Sequence, residues 1–432
     1  MDNQDGPPDH VQWRTSICRR TFLKYSGSLG AMCGTFSMRN LFNQLGQAEA
    51  RSGPKPHIAV VGAGAFGGWT ALYLLRSGAR VTLLDAWGPG NSRASSGGET
   101  RVIRGTYGPN QPYTKMVARA LQLWRENESR WSLKLFHQTG VLWLAGRDDQ
   151  FERGSLPALR DAGLPIEELS SQVLVNRFPQ INFDGVKWAI YEMEAGYLTA
   201  RRACEAVLNG FLAEGGTYRQ VLIRKPVQIR GELQGVVLSD GSRLVADIYV
   251  FACGPWLGRL FPEVVGDSIK PTRQEVFFFG TAGGDSRFSE EKLPAWIDHG
   301  DRPFYGIPNN QWRGFKLAND ARGPSFDPND GQRTPSPEGL KQARDYLSFR
   351  FPALKNAPLL ESRVCQYENT PDHHFIVDRH PNADNVWLLG GGSGHGFKHG
   401  PALGEMVADL VLHHGTPNGF FRLSRLSGSR VP

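Results

Sequence analysis

A strand-like apolar run from His57 to Val61 ends in Gly62-Ala63-Gly64-Ala65-Phe66-Gly67, and a helical pattern through Leu72, Leu75 and Arg76 follows at once. Glycine at the first place permits a tight turn, and at the second it lets backbone approach a pyrophosphate. At the third it lets helix and strand pack closely. The helix N-terminus then offers unpaired N–H groups to the phosphates. Gly78 closes the helix, and a second strand, Val81 to Leu84, ends on Asp85, which is expected to accept from a ribose hydroxyl. Strand, glycines, helix, strand and acid in this order point to FAD or NAD, with Gly62, Gly64, Gly67 and Asp85 as cofactor-binding residues. No second G-x-G-x-x-G follows, as a reductase using both FAD and a nicotinamide would carry. Gly392-Ser393-Gly394 comes near a hydrolase nucleophile elbow, but that turn needs glycine where His395 stands.

The elements around this motif must bring its ends together. Composition allows a sizeable core: aromatic residues reach 11% and charged residues only 21%, which excludes a disordered or fibrous chain. The 51 glycines in 432 residues mark many tight turns and close approaches. The net charge of +7 is scattered, with no basic run, and reads as a solvated surface rather than a nucleic-acid site. Five cysteines form no C-x-x-C pair, so neither a zinc framework nor a dithiol motif is expected, and no metal site is assigned.

A helix is expected over Thr199 to Ala213, then strands around Val221 to Ile229 and Gly235 to Leu238. The apolar run Asp247 to Ala252 feeds Cys253-Gly254-Pro255-Trp256. Asn385 to Leu389 feeds the glycine-rich turn Gly390 to Lys398, with a helix from Ala402 to Leu412. Strands that end in glycine turns and enter helices place ligands at the carboxyl edge of a parallel sheet. Between these returns lie alternating, aromatic-rich segments: Gly140 to Leu144, Glu275 to Gly280, Phe304 to Ile307 and Gly314 to Leu317. The expected fold is α/β, a Rossmann-type FAD-binding domain with a discontinuous second domain built on a mostly antiparallel sheet. Residues 51–135, 200–265 and 362–432 would form the first, residues 136–199 and 266–361 the substrate-binding second, with the active site in the seam.

Residues 1–50 read as an export signal. Arg19 and Arg20 precede Phe22, Leu23 and Lys24, a soft Gly/Ser-interrupted apolar stretch follows, and Ala48-Glu49-Ala50 supplies a cleavage pattern. This resembles a twin-arginine leader, which implies a periplasmic or secreted protein and the Tat machinery as partner. The stretch is too short for stable membrane insertion.

Four further segments resemble the monomeric sarcosine oxidase family, within the D-amino-acid-oxidase-like flavoproteins, over His57 to His414. They are Ser96 to Arg104, Tyr305-Gly306 with Lys316, Val364-Cys365 through Asp378, and Ser393 to Lys398. The resemblance implies FAD as cofactor, held covalently by a thioether from Cys365, with Thr100, Arg101 and Gly394 against it. It assigns Arg104 and Lys398 to the substrate carboxylate, a guanidinium fork plus a point charge. It gives Lys316 the promotion of oxygen reduction and sets Tyr305 on the substrate side of the ring. The implied reaction oxidises the C–N bond of an amino acid or N-alkyl amino acid to an imine, hydrolysed afterwards, with O2 reduced to hydrogen peroxide. A dehydrogenase passing electrons to a quinone or carrier protein is the alternative, and a non-catalytic flavoprotein a third. Sarcosine oxidases carry histidine where this chain has Gly97 and Asp320. Gly97 is expected to open space near the substrate and Asp320 to welcome a cationic group there. A larger or primary amino acid is therefore expected to outrun sarcosine.

Overall fold

The computed structural model describes residues 54–226, 230–300, 302–311 and 313–429. The leader read over residues 1–50 lies outside them.

His57–Val61 is buried at every position, as its unbroken apolar run requires for a strand covered on both faces. It lies at the centre of a six-stranded sheet, in the order Ile376–His380, Ala383–Gly390, Ile248–Phe251, His57–Val61, Arg80–Asp85, Thr217–Gln220. All neighbours are parallel except the first pair, an antiparallel hairpin. Both expected returns of the chain therefore join the motif strand's sheet, Ile248–Phe251 directly beside it and Ala383–Gly390 one strand farther. The helix Ala65–Arg76 packs against Ala200–Ala213 and Gly400–Leu412. Its approach to the last is backbone to backbone: a Cβ on Gly404 would lie 2.7 Å from the Trp69 carbonyl carbon. The indole of Trp69 meets that of Trp124 edge-on at 5.0 Å, below the sheet.

The second sheet has eight strands: Leu359–Asn369, Lys270–Phe279, Phe315–Asn319, Phe304–Ile307, Ala295–Asp298, Val141–Ala145, Trp188–Glu192, Ile166–Ser170. It is antiparallel except where Ala295–Asp298 runs parallel to Val141–Ala145. All four aromatic-rich segments named above belong to it. The helix Pro337–Arg350 covers one face. Ser336 caps it by accepting from the Gly339 N–H at 3.0 Å, and Pro337 occupies the first turn. Its Tyr346 ring stacks on Trp296 at 5.6 Å, and the buried Arg350–Asp298 pair, 2.7 Å, takes a further bond from the Tyr346 hydroxyl. That third donor offsets part of the cost of burying the pair.

The strand expected over Val221 to Ile229 is not observed. The sheet strand is Thr217–Gln220, and from Val221 to Pro226 only Ile223 makes a bridge, to Leu238. Pro226 has no N–H to give a ladder, and exposed Arg224 and Lys225 have no face to bury. Residues 227–229 lie outside the described chain. The Gly235 to Leu238 segment shortens to Val236–Val237, paired with Arg243–Leu244 in a small ribbon. Among the described residues no helix is long and apolar enough to cross a membrane.

Candidate active site

A cleft of about 1230 Å³ runs along the carboxyl edge of the six-stranded sheet, lined among others by Gly62, Gly64, Asp85, Arg101, Tyr367 and Gly394. Gly62 has φ +106°, and a Cβ there would sit 2.3 Å from the Ala252 carbonyl oxygen. A Cβ on Gly67 would lie 1.8 Å from the Gly62 oxygen. Gly64 differs: a Cβ would meet only Ser96 Oγ, at 3.2 Å, so this glycine faces open space. The first and third glycines serve the turn and the packing, and the second serves whatever enters.

Asp85 does more than its sequence position implied. Its Oδ2 accepts from the Ala63 N–H, and its Oδ1 accepts from the N–H groups of Trp87 and Gly88, each at 2.8 Å. The carboxylate ties the second strand to the glycine turn and keeps acceptor capacity toward the cleft. Burial raises its pKa against these three bonds. Next in the chain to Arg101, which lines the cleft, Thr100 is buried and its Oγ1 has no partner. An open glycine at a helix N-terminus, an acid on the second strand and an orphaned hydroxyl beside Arg101 fit a dinucleotide whose far ring reaches Thr100.

Two cations meet at one tyrosine. Arg104 leaves the Thr100–Ile103 strand and donates to the Thr106 carbonyl. Its guanidinium lies 4.1 Å from the Tyr107 ring centroid and 4.8 Å from that of Trp143. Buried Glu192 fixes this loop, accepting from the Gly105 and Thr106 N–H groups and the Thr106 hydroxyl. Lys398, buried in the turn Phe397–His399, donates to the Tyr107 hydroxyl at 2.9 Å and to the His395 carbonyl at 3.0 Å. Burial, reinforced by the positive Arg104, holds its ammonium well below the usual lysine range. The Tyr107 oxygen also lies 2.7 Å from His399 Nε2 and 3.2 Å from His395 Nδ1. Burial and Lys398 hold both imidazoles well below their ordinary pKa.

A second group surrounds Cys365. Arg101 Nη2 lies 3.3 Å from Cys365 Sγ and 2.7 Å from the Ser95 carbonyl, while Nη1 donates to the Thr100 carbonyl. Lys316, 2% exposed, donates to the same Thr100 oxygen at 2.8 Å and lies 5.2 Å from the Tyr305 ring centroid. Burial and then Arg101 push its pKa far down. Lys316 and Cys365 open onto an adjoining cleft of about 850 Å³, which shares Ala94 and Arg101 with the first and is lined also by Gly97 and Glu99. Glu99 binds Arg201, Arg313 and Arg363 at 3.4, 3.3 and 2.8 Å. Gly97 corrects an expectation. It lines this second cleft rather than the Arg104–Lys398 side, and a Cβ on it would lie 1.8 Å from the Asn91 carbonyl oxygen. Its missing side chain serves a tight loop.

Asp320 follows the Phe315–Asn319 strand and accepts from the Tyr367 hydroxyl at 3.1 Å. Although water reaches it, the surrounding protein strips enough hydration to raise its carboxyl. Arg104, the Tyr367 bond, Lys398 and His299 pull the other way. Tyr305, burdened by burial, has its phenol pushed up to about 12. Cys204, Cys253 and Cys365 are all free thiols. The structure thus gathers Arg104, Lys398, Asp320 and Tyr305 around Tyr107 and Tyr367, and Thr100, Arg101, Lys316 and Cys365 beside them. Tyr107, Glu192 and His399 carried no signal of their own, although Tyr107 lies within a turn of Arg104.

The model of the FAD dependent oxidoreductase family DAO matches residues 57–410. Monomeric sarcosine oxidase of Bacillus sp. (strain NS-129) is 31% identical over 363 residues, covering 82% of this chain and 92% of that one. N-methyl-L-tryptophan oxidase of Salmonella arizonae is 30% identical over 391 residues, covering 86% of this chain and 100% of that one. Among solved structures, L-proline dehydrogenase from P. horikoshii has a TM-score of 0.76 at 21% identity, with 88% and 99% coverage. Fructosamine oxidase from Aspergillus fumigatus has 0.72 at 20%, with 87% and 92%. These last likenesses bear on the fold, which they share. With a dinucleotide cradle, two cations paired on one tyrosine and a family match that spans nearly all the described chain, this protein belongs to the DAO family of FAD-dependent oxidoreductases.

Proposed function

We propose that the protein oxidises the C–N bond of an amino acid or N-alkyl amino acid to an imine, which water hydrolyses, and that O2 is reduced to H2O2. The observation that carries this reading is the convergence of Arg104 and Lys398 on Tyr107, two cations held together where they can grip an α-carboxylate. FAD, when bound, supplies the two-electron acceptor. The chain supplies the rest. Gly62, Gly64, Gly67 and Asp85 hold the dinucleotide, and Thr100, Arg101 and Gly394 lie toward its ring. Tyr305 lines the substrate side, and Lys316 assists oxygen from the other cleft. Cys365, an accessible thiol beside the Arg101 guanidinium, attaches the flavin covalently.

The relatives named for sarcosine and N-methyl-L-tryptophan support an N-alkyl amino acid or a near relation of one. Asp320, in place of the family's histidine, favours a larger or primary amino acid over sarcosine. The twin-arginine pattern favours export of the folded protein through the Tat machinery, and a tethered cofactor suits a protein working where lost flavin is not replaced. The six-stranded sheet lies wholly within the residues assigned to the first domain and the eight-stranded sheet within those of the second, except for Leu359–Asn369, which the bound at residue 362 divides.

Precipitating the purified protein with acid tests the tether: yellow colour stays in the pellet. Anaerobic bleaching against an amino-acid library, followed by admission of air and a peroxide assay, tests the oxidase reading. Bleaching by none of the amino acids overturns it, and turnover only with an artificial acceptor replaces it with a dehydrogenase. Unchanged function in R104A and K398A would favour a non-catalytic flavoprotein.

A further inference from the structure

Asp320 is a carboxylate that the chain leaves unpaired. Its Oδ1 takes one bond, from Tyr367, and among the described residues it makes no ion pair. Charged and titratable groups face it from every neighbouring element: Arg104, Lys398, His299 and Arg322, with the phenols of Tyr367 and Tyr305 between. Arg104 and Lys398 act on it electrostatically and do not touch it. The carboxylate and the two cations share one neighbourhood: the Tyr367 ring that binds Asp320 lies 2.7 Å from where a Cβ on Gly394 would sit, and the next residue, His395, meets both Tyr107 and Lys398.

An α-amino acid carries the complementary dipole, a carboxylate and an ammonium one carbon apart. Resting on the oxidase reading above, we infer that Asp320 anchors the substrate ammonium while Arg104 and Lys398 hold its carboxylate. The site therefore takes α-amino acids as zwitterions, and Asp320 removes the ammonium proton. In that step an N–H bond breaks with its electron pair left on nitrogen, and an O–H bond forms on Asp320. The amine becomes neutral and able to release hydride from the adjacent carbon, and the carboxyl returns its proton to water, which reaches it. A carboxyl raised by its surroundings and stabilised as the anion by Tyr367 suits such an exchange. A simple carboxylic acid, with no ammonium, gains nothing from Asp320 and is repelled by it.

The test uses holoenzyme and two probes that differ by the amine: phenylalanine of either hand and 3-phenylpropionate. Each is titrated against the absorbance of the bound flavin in wild type, D320N and D320E. Wild type and D320E are expected to bind the better phenylalanine enantiomer roughly tenfold tighter than 3-phenylpropionate. D320N erases or reverses that ratio while still binding the carboxylate, which shows that the clamp is folded. For an amino acid that bleaches the flavin, the acid limb of the bleaching rate moves up by roughly 2 pH units in D320N, toward the amine's own pKa. An unchanged binding ratio, an unmoved acid limb, or a loss confined to substrates with cationic side chains would overturn the assignment. If no amino acid bleaches the flavin, the oxidase reading fails while the binding ratio still decides Asp320.

Discussion

Lys398 Nζ donates to the Tyr107 hydroxyl at 2.9 Å, and the face of that same ring carries the Arg104 guanidinium at 4.1 Å. One side chain therefore fixes the separation of the two cations, and the His395 and His399 imidazoles behind it fix the hydroxyl.

Removing that hydroxyl leaves Lys398 with one acceptor, the His395 carbonyl, in a site that excludes water. Losing a bond to a buried charged donor costs roughly 1–3 kcal/mol. Y107F is expected to keep its flavin and its fold while KM for the amino acid rises roughly tenfold and kcat changes little. Steady-state kinetics alongside flavin absorbance check both halves.

Arg104 is stacked as well as charged, between Tyr107 and Trp143. Lysine keeps the charge and loses the planar stack and the fork. R104K is expected to raise KM by roughly tenfold, and R104A by roughly a hundredfold, in the same assay. Equal effects of the two would mean that charge alone matters there.

Lys316 and Lys398 both titrate below the ordinary lysine range because burial disfavours the cation. Between the lowered value and the ordinary one the unfolded chain holds the extra proton, so stability rises with pH across that window, by up to about 1.4 kcal/mol per pH unit for each lysine. K316M removes one such group. Thermal unfolding at several pH values should show a shallower rise for K316M than for wild type. The same variant is expected to slow reoxidation of reduced enzyme by air while leaving anaerobic bleaching nearly intact.

The two glycines at the motif's centre and end separate binding from folding. A methyl on Gly64 meets only the end of a serine side chain, whereas one on Gly67 meets backbone at 1.8 Å. G64A is expected to fold and purify with much less flavin, and G67A to be recovered mainly as insoluble protein. Circular dichroism and the visible spectrum distinguish the cases.

Much of this could be read before any coordinates. Strands buried on both faces, such as His57–Val61 and Ile248–Phe251, announce themselves as apolar runs, and the glycine spacing follows from what a phosphate requires. Alternation marked the strands that carry Lys316 and Tyr305. What stayed hidden depends on partners distant in the chain. Tyr107 is central only because His399 and Lys398 arrive from the far end. Glu192 matters because of a loop formed by Gly105 and Thr106. Gly97 looked like room for a ligand until Asn91 was found against it. The Val221 to Ile229 expectation failed at Pro226, where period outweighed the missing N–H.

The parallel pairing of Ile58 with Ile248, and of Val250 with Trp387, has a consequence for biosynthesis. The motif strand and its neighbour Arg80–Asp85 emerge early from the ribosome, but Ile248–Phe251 on its other side is translated much later, and the next strand, Ala383–Gly390, close to the carboxyl terminus. A nascent chain bearing the glycine turn holds half a cradle. A complete cradle thus waits for Ala383–Gly390, and a product truncated before that strand is expected to leave the ribosome colourless.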